Sequence, residues 1–423
     1  MNIKNFSADK KRLISNFFSL SSVEMANYIF PLITLPYLVR VLGPDKFGLV
    51  AFAQAFVQYF VLLTDYGFNL SATRNISIHS NDIEKVSRIF SSIMLIKFCF
   101  MLLSFVILSA LVFSIPKFRA DWGLYYCCFG FVIGNILFPI WLFQGMERMK
   151  FIAALNLIAK TIFLVAIFVF VKKQADYFYV PLLAAIGGIV AGVLSLVIAV
   201  KRFRVRLKPV SVADMAHELR EGWHIFISTA AISLYTTSNT FILGLLTNNT
   251  IVGYYSAAEK IIRSSQRLLN PISQTIYPYI SKLVADSRER AIKFVEKSFL
   301  LVGTGSSIIS LIIFIFSNTI VNMLLGSQYI ESIQVLKIFA FLPFIIALSN
   351  ISAVQGLYAF GHQSVVSRFV IPIGFLHLIL FMIFTKIYGI LGAAAIVLFT
   401  EILITLFSIR YSLKLIYLKR TII

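Results

Sequence analysis

The feature that most constrains this chain is the recurrence of long apolar runs. A helix needs about 20 mostly apolar residues to cross roughly 30 Å of hydrocarbon, and the sequence supplies twelve such runs. They fall at about 13–38, 47–68, 89–114, 121–143, 151–171, 178–201, 223–247, 251–280, 294–316, 333–357, 365–385 and 390–413. Hydrocarbon offers backbone N–H and C=O groups no water, so runs this long and continuous must be helices that satisfy their own backbone. The weak ten-residue alternation of a barrel strand is not the pattern seen. Composition agrees: 59% of residues are hydrophobic and only 13% charged, with a mean hydropathy of +0.88, more apolar surface than a soluble core can use. The expected fold class is an all-α polytopic membrane protein. No small-residue cleavage site follows a short apolar core near the N-terminus, so no removed signal peptide is expected.

The net charge of +20 would suit nucleic acid, but its placement is topological. With the first helix leaving the cytoplasm, the segments on the inside and the span ends adjoining them hold 25 Lys and Arg residues and the outside loops hold seven. The inside set includes Lys10, Lys11 and Arg12, the group Lys201, Arg202, Arg204, Arg206 and Lys208, and Arg288, Arg290 and Lys293. By the positive-inside rule both termini are cytoplasmic. No nucleic-acid partner is expected; the basic segments face the anionic leaflet of membrane lipids.

The outside connections are too short for an external domain that could house an enzyme site. Cys99, Cys127 and Cys128 all fall in expected spans and are odd in number, so they read as small packing residues rather than a disulfide framework. The scattered His224, His362 and His377 have no partners at ligand spacing, and no Walker-type loop occurs, so no metal and no bound cofactor is expected. The longest inside connection contains "VSVADMAHELREGW", the pattern of a short amphipathic helix on the membrane surface. It divides the chain into an N-terminal lobe, 1–205, a linker, 206–222, and a C-terminal lobe, 223–423.

Self-comparison supports two halves. "GPDKFGLVAFAQ" places Gly48 and Ala53 where "NNTIVGYYSAAE" places Gly253 and Ala258, both pairs offset by 205. Gln144-Gly145 and Gln355-Gly356 repeat at an offset of 211. Six helices, an even number, keep both copies in one orientation, so the expected architecture is two pseudo-symmetric six-helix lobes around a central cleft.

The stretches "LPYLVRVLGPDKFGLVAFAQAFVQYFVLLTDYGFNLSATRNIS" (Leu35 to Ser77) and "PIWLFQGMERMKFIAALN" (Pro139 to Asn156) resemble the polysaccharide transporter family of Wzx-type O-antigen flippases. These belong to the multidrug, oligosaccharidyl-lipid and polysaccharide exporter superfamily, and their fold is MATE-like. The resemblance implies a flippase rather than an enzyme. It would carry undecaprenyl-pyrophosphate-linked oligosaccharide repeat units across the bacterial inner membrane for lipopolysaccharide biosynthesis, alongside a polysaccharide polymerase and a chain-length regulator. It also implies that each Gln-Gly pair caps a span at the cytoplasmic face.

Ionisable groups within spans are costly and mark function or pairing. In the eighth span Glu259, Arg263, Gln266, Arg267 and Asn270 recur at three and four, on one helical face, with Lys260 beside them. Lys97 and Lys160 stand isolated in the first half. A pyrophosphate suits such cations, since Arg engages phosphate through two parallel hydrogen bonds. The competing account is a structural pair of Glu259 with Arg263. Glu24, Asp65 and Glu401 could bind a coupling H⁺ or Na⁺, although Asp65 could pair instead with Arg74. Pro31, Pro36, Pro271 and Pro278 would bend the first and eighth spans. A peptidoglycan-precursor flippase, a multidrug antiporter and a membrane polysaccharide polymerase are the other functions of this class. The last needs a large external loop, and the cationic eighth span argues against the drug antiporter.

The orientation has a direct test. Single cysteines at Ser211 and Ser287 should be shielded from an impermeant thiol reagent in intact cells, and one at Asn248 should react. Labelling of the first two from outside would overturn it.

Overall fold

The computed structural model describes the backbone of residues 3–267 and 270–417, and side chains from residue 30 on apart from 231, 234, 268–272, 274, 275, 278 and 416–423. The described chain is helical. Its helices run α1 (Ile3–Asp65), α2 (Phe68–Ile78), α3 (Ile83–Ser114), α4 (Pro116–Arg119), α5 (Trp122–Leu137), α6 (Ile140–Gly145), α7 (Met149–Phe170), α8 (Tyr179–Phe203) and α9 (Val212–Thr236). They continue with α10 (Ser238–Leu246), α11 (Asn249–Arg267), α12 (Asn270–Asp286), α13 (Arg288–Ile315), α14 (Ser317–Leu324), α15 (Ser332–Phe339), α16 (Leu342–Asn350) and α17 (Gln363–Ser412).

Eight helical stretches among the described residues are long and apolar enough to cross a membrane. Two of them, Phe30–Ile78 and Gln363–Leu415, are 49 and 53 residues long, enough for two crossings each. Each is broken by a glycine in the left-handed region, Gly43 at φ 67° and Gly389 at φ 59°, a conformation that costs a residue with a Cβ. The first break therefore falls at Gly43, beyond Pro31 and Pro36. The stretches of the expected seventh and eighth spans are helical as α9–α10 and α11–α12, and neither is among the eight.

The chain forms two compact units, Met1–Thr34 with Phe52–Ala230, and Leu35–Ala51 with Ala231–Ile423. In the first, α5 and α8 pack through small residues, Gly130 against Ala185 and Gly134 against Gly188 and Gly192. A Cβ on Gly134 would meet the Gly188 carbonyl carbon at 3.1 Å, and one on Gly192 the Leu137 Cβ at 2.5 Å. Small residues let helix backbones approach closely where no hydrophobic effect drives them together. A buried cluster around Phe68, Phe90, Ile93, Trp141 and Phe143 fills the rest. The linker helix docks on this unit. Met215 and Leu219 of α9 pack against the cluster, and Phe226 stacks on Tyr66 at 4.7 Å. Glu218 is only 4% exposed, and burial pushes its carboxyl up from the usual range, so the fold favours its neutral form.

In the second unit, the segment after Gly43 crosses α11 at the two glycines picked out by the internal repeat. A Cβ on Gly48 would fall on the carbonyl oxygen of Asn249, and one on Gly253 on that of Pro44. The contact is reciprocal, because Pro44 precedes Gly48 by four residues and Asn249 precedes Gly253 by four. Arg40 donates to the Met323 carbonyl, and Gln328 Nε2 reaches the carbonyls of Val39 and Arg40 at 3.3 Å, pinning the same segment.

Backbone cannot retreat as a side-chain tip can, so Gly48→Ala and Gly253→Ala should each cost about 1–3 kcal/mol through overpacking. The expected readout is a lower thermal midpoint and lower abundance. Gly305→Ala, whose Cβ would meet nothing within 4 Å, should leave both unchanged or raise them.

Candidate functional site

The polar residues of the spans divide between the two units. In the first, Lys97 of α3 is 1% exposed, and its Nζ donates to Asp65 Oδ1 at 3.0 Å and to Asn135 Oδ1 at 3.4 Å. Asp65 thus pairs with Lys97, 32 residues on, and not with Arg74, which lies 3.9 Å from Glu221. Lys97 holds a closed polar knot that joins α1, α3 and α5. Lys160 lies partly exposed in α7.

The Gln-Gly pair ending α6 is structural. Thr73 Oγ1 donates to Gln144 Oε1 at 3.2 Å, and a Cβ on Gly145 would meet Ile76 Cγ2 at 2.7 Å and the Thr73 carbonyl oxygen at 3.0 Å. A recess of about 670 Å³ adjoins it, lined by Ser77, Asn81, Arg148 and Arg202 among others. Its lining comes from the ends of the apolar helices and the turns between them.

The second unit holds polar groups inside its helices. A recess of about 180 Å³ is walled by Tyr235 and Asn239, by Glu259 and Arg263 of α11, and by His377 and Glu401 of α17. Arg263 grips Glu259 Oε1 with Nε at 3.1 Å and Nη2 at 2.7 Å, and Nη2 also donates to the Thr236 carbonyl at 3.0 Å. Thr240 Oγ1 donates to the other Glu259 oxygen at 3.4 Å. The structural pair expected at spacing four is therefore present, and it ties α11 to the chain around α10. With Glu401 in the same wall, this recess is mixed in charge and not simply cationic. His377 is 2% exposed, and both its ring nitrogens are engaged, Nδ1 with Thr400 Oγ1 at 2.7 Å and Nε2 with Asn239 Oδ1 at 2.8 Å.

A second recess of about 200 Å³ shares Arg263 and Gln266 with the first and adds Arg267, Ser273, Asn350 and Gln355. Arg263 is thus common to a wall with carboxylates and a wall with arginine and amides. Lys260 lines neither recess, and its Nζ lies 4.6 Å from the centre of the Phe47 ring, a cation–π contact. Glu24 and Asn270 lie outside the residues whose side chains are described. The structure therefore brings together Glu259, Arg263, Arg267 and Glu401, and separately Asp65 and Lys97.

His377, Asn239 and Thr400 were not expected here, and Gln355 was expected to cap a span, with substrate contact the alternative. One signal could have found His377: it is an ionisable residue in the middle of an apolar run, the criterion that singled out Lys97.

Residues 13–284 match the family described as polysaccharide biosynthesis protein. Over 397 residues the chain is 33% identical to a protein of Escherichia coli strain K12 described as an O-antigen transporter, covering 94% of this chain and 96% of the relative. Among solved structures, an inward-facing multidrug resistance MATE family transporter of the MOP superfamily superposes with a TM-score of 0.73, at 12% identity and with 96% of this chain and all of that one covered. The lipid II flippase MurJ in an inward closed conformation gives 0.68 at 13% identity, over 95% of this chain and 87% of that one. At such identities the likeness is one of fold.

The Lys97 knot can be tested by a double-mutant cycle. Lys97→Ala leaves a carboxylate uncompensated and should cost about 3 kcal/mol or more. Adding Asp65→Asn should recover most of it, read as thermal midpoint and membrane abundance. Additive losses would mean that the two side chains do not act as a pair.

Proposed function

The chain belongs to the polysaccharide biosynthesis protein family, and from that membership we propose that it is a flippase of the bacterial inner membrane. It moves undecaprenyl-pyrophosphate-linked O-antigen, or a related polysaccharide repeat unit, from the cytoplasmic to the periplasmic leaflet by alternating access, with both termini cytoplasmic. The observation that carries this reading is the polar wall of the second unit, where Arg263 and Arg267 face recesses inside helices of a multi-span membrane protein. A hydrated pyrophosphate head cannot enter hydrocarbon, whereas its isoprenoid tail belongs there. A polar surface within the protein lets the head cross while the tail stays in lipid.

Arg263 is the hinge of the chemistry. Its two hydrogen bonds to Glu259 are the kind a phosphate oxygen can replace. Weakening the carboxylate's hold, by a proton or a sodium ion at Glu259 or Glu401, frees the guanidinium for the substrate, and its return to Glu259 releases the phosphate. Such an exchange links the driving ion to the cargo through one side chain. Glu24 remains a further candidate for the coupling ion. A lipid II flippase handles a comparable lipid pyrophosphate on the same fold, but the near full-length relationship to an O-antigen transporter favours the first reading.

Arg263→Ala and Arg267→Ala should each lower export per molecule of protein, measured against membrane abundance, with the lipid-linked repeat unit accumulating on the cytoplasmic leaflet. Lysine at either position should retain part of the activity, since it keeps the charge and loses the planar fork. Glu259→Gln in the Arg263→Ala background separates the two roles. A purely structural pair predicts full rescue of export, and that result, or normal export in both alanine variants, would remove these arginines from pyrophosphate handling.

A further inference from the structure

We propose that the recess beside Arg267 is a saccharide subsite, in which Gln355 accepts a hydrogen bond from a donor on the sugar joined to the pyrophosphate. This rests on the flippase reading and adds to it a point at which the protein senses that the lipid carries sugar.

The internal repeat supplies the comparison. Gln144 and Gln355 each precede a glycine at matching places in the two halves. In the first half the amide oxygen is occupied by Thr73 Oγ1. In the second, Gln355 is 2% exposed, yet its Oε1 has no partner among the described residues. A buried acceptor left unpaired opposes folding, so the position suits a hydrogen-bond donor from outside the chain, water or ligand.

The backbone agrees. Ile351–Tyr358 is a π-helix, a widened turn that is uncommon and found mostly at functional sites. It re-aims the residues it carries, and Gln355 lines the recess together with Asn350 from the preceding turn. Ser273 donates to Asn350 Oδ1 at 3.0 Å, which fixes that amide in the wall. Arg263 and Arg267 line the recess together with Val302, Pro343 and Ile346. Cations beside an amide acceptor and an apolar face suit a phosphate joined to a sugar ring, whose hydroxyl edge seeks acceptors and whose C–H face seeks apolar surface. About 200 Å³ leaves room for a sugar ring beside the arginines.

The test uses the purified full chain in lipid nanodiscs with two probes, a short-chain polyprenyl pyrophosphate and the same lipid carrying one N-acetylhexosamine. The unmodified protein should bind the sugar-bearing probe about tenfold more tightly. Gln355→Leu should abolish that preference and leave affinity for the bare pyrophosphate unchanged. Its unliganded thermal midpoint should hold or rise, since an unpaired acceptor has been removed. Gln355→Asn, which keeps the amide but withdraws it by one methylene, should keep part of the preference. Equal affinity of the unmodified protein for both probes overturns the subsite while the pyrophosphate reading stands. So does a preference that survives Gln355→Leu. A Gln355→Leu variant with a lowered midpoint and equal losses for both probes marks a structural residue and also overturns it. If neither probe binds the unmodified protein, the subsite and the flippase reading fall together.

Discussion

A polar atom inside hydrocarbon has no water to turn to, and most of what is particular about this chain follows from how each such atom is accommodated. The first unit gives a closed answer: Lys97 takes up Asp65 and Asn135 and the account balances locally. The second gives an open one. Glu259, Arg263, Glu401, His377 and Gln355 are held in two adjoining recesses, with enough mutual pairing to be tolerated and enough left over to meet something else. Arg263 belongs to both recesses, so no change on one side can leave the other untouched.

That asymmetry matters because the halves share a plan. A repeated Gln-Gly pair serves as a joint between α6 and α2 in one half, where Gly145 lies against Ile76 and Thr73. In the other half the same pair sits on a π-helix facing a polar recess. The same pair thus stands in two different backbone settings. Arginine rather than lysine at 263 fits this division, since its planar fork can hold a carboxylate and a main-chain carbonyl together.

Much of this was legible in the sequence, for a physical reason: hydrocarbon thickness and helical period impose lengths and spacings that survive in one dimension. The apolar runs, the stripe through Glu259, Arg263 and Arg267, and the paired glycines at 48 and 253 are all of that kind. What was not legible depends on three dimensions. Asp65 finds Lys97 because α1 and α3 lie side by side, whereas spacing alone favoured Arg74. Lys260 has a ring to rest on that no local pattern announces. The first break falls at Gly43 because a positive φ bends the chain more sharply than a proline, and the composition around 31–36 drew attention elsewhere. His377 was set aside for want of partners at ligand spacing, and its partners come from residues 239 and 400.

The crossing of Gly48 and Gly253 is built of main chain alone, with each glycine lying against a carbonyl four residues before the other. Such a joint has no ionisable group to titrate and no charge for salt to screen. The recesses of the same unit are made of carboxylates, guanidinium and imidazole, which answer to both. Acidity, ionic strength and membrane potential can therefore act on the working surface without slackening the joint that braces it, so the unit is mechanically deaf to the forces its polar wall is built to hear.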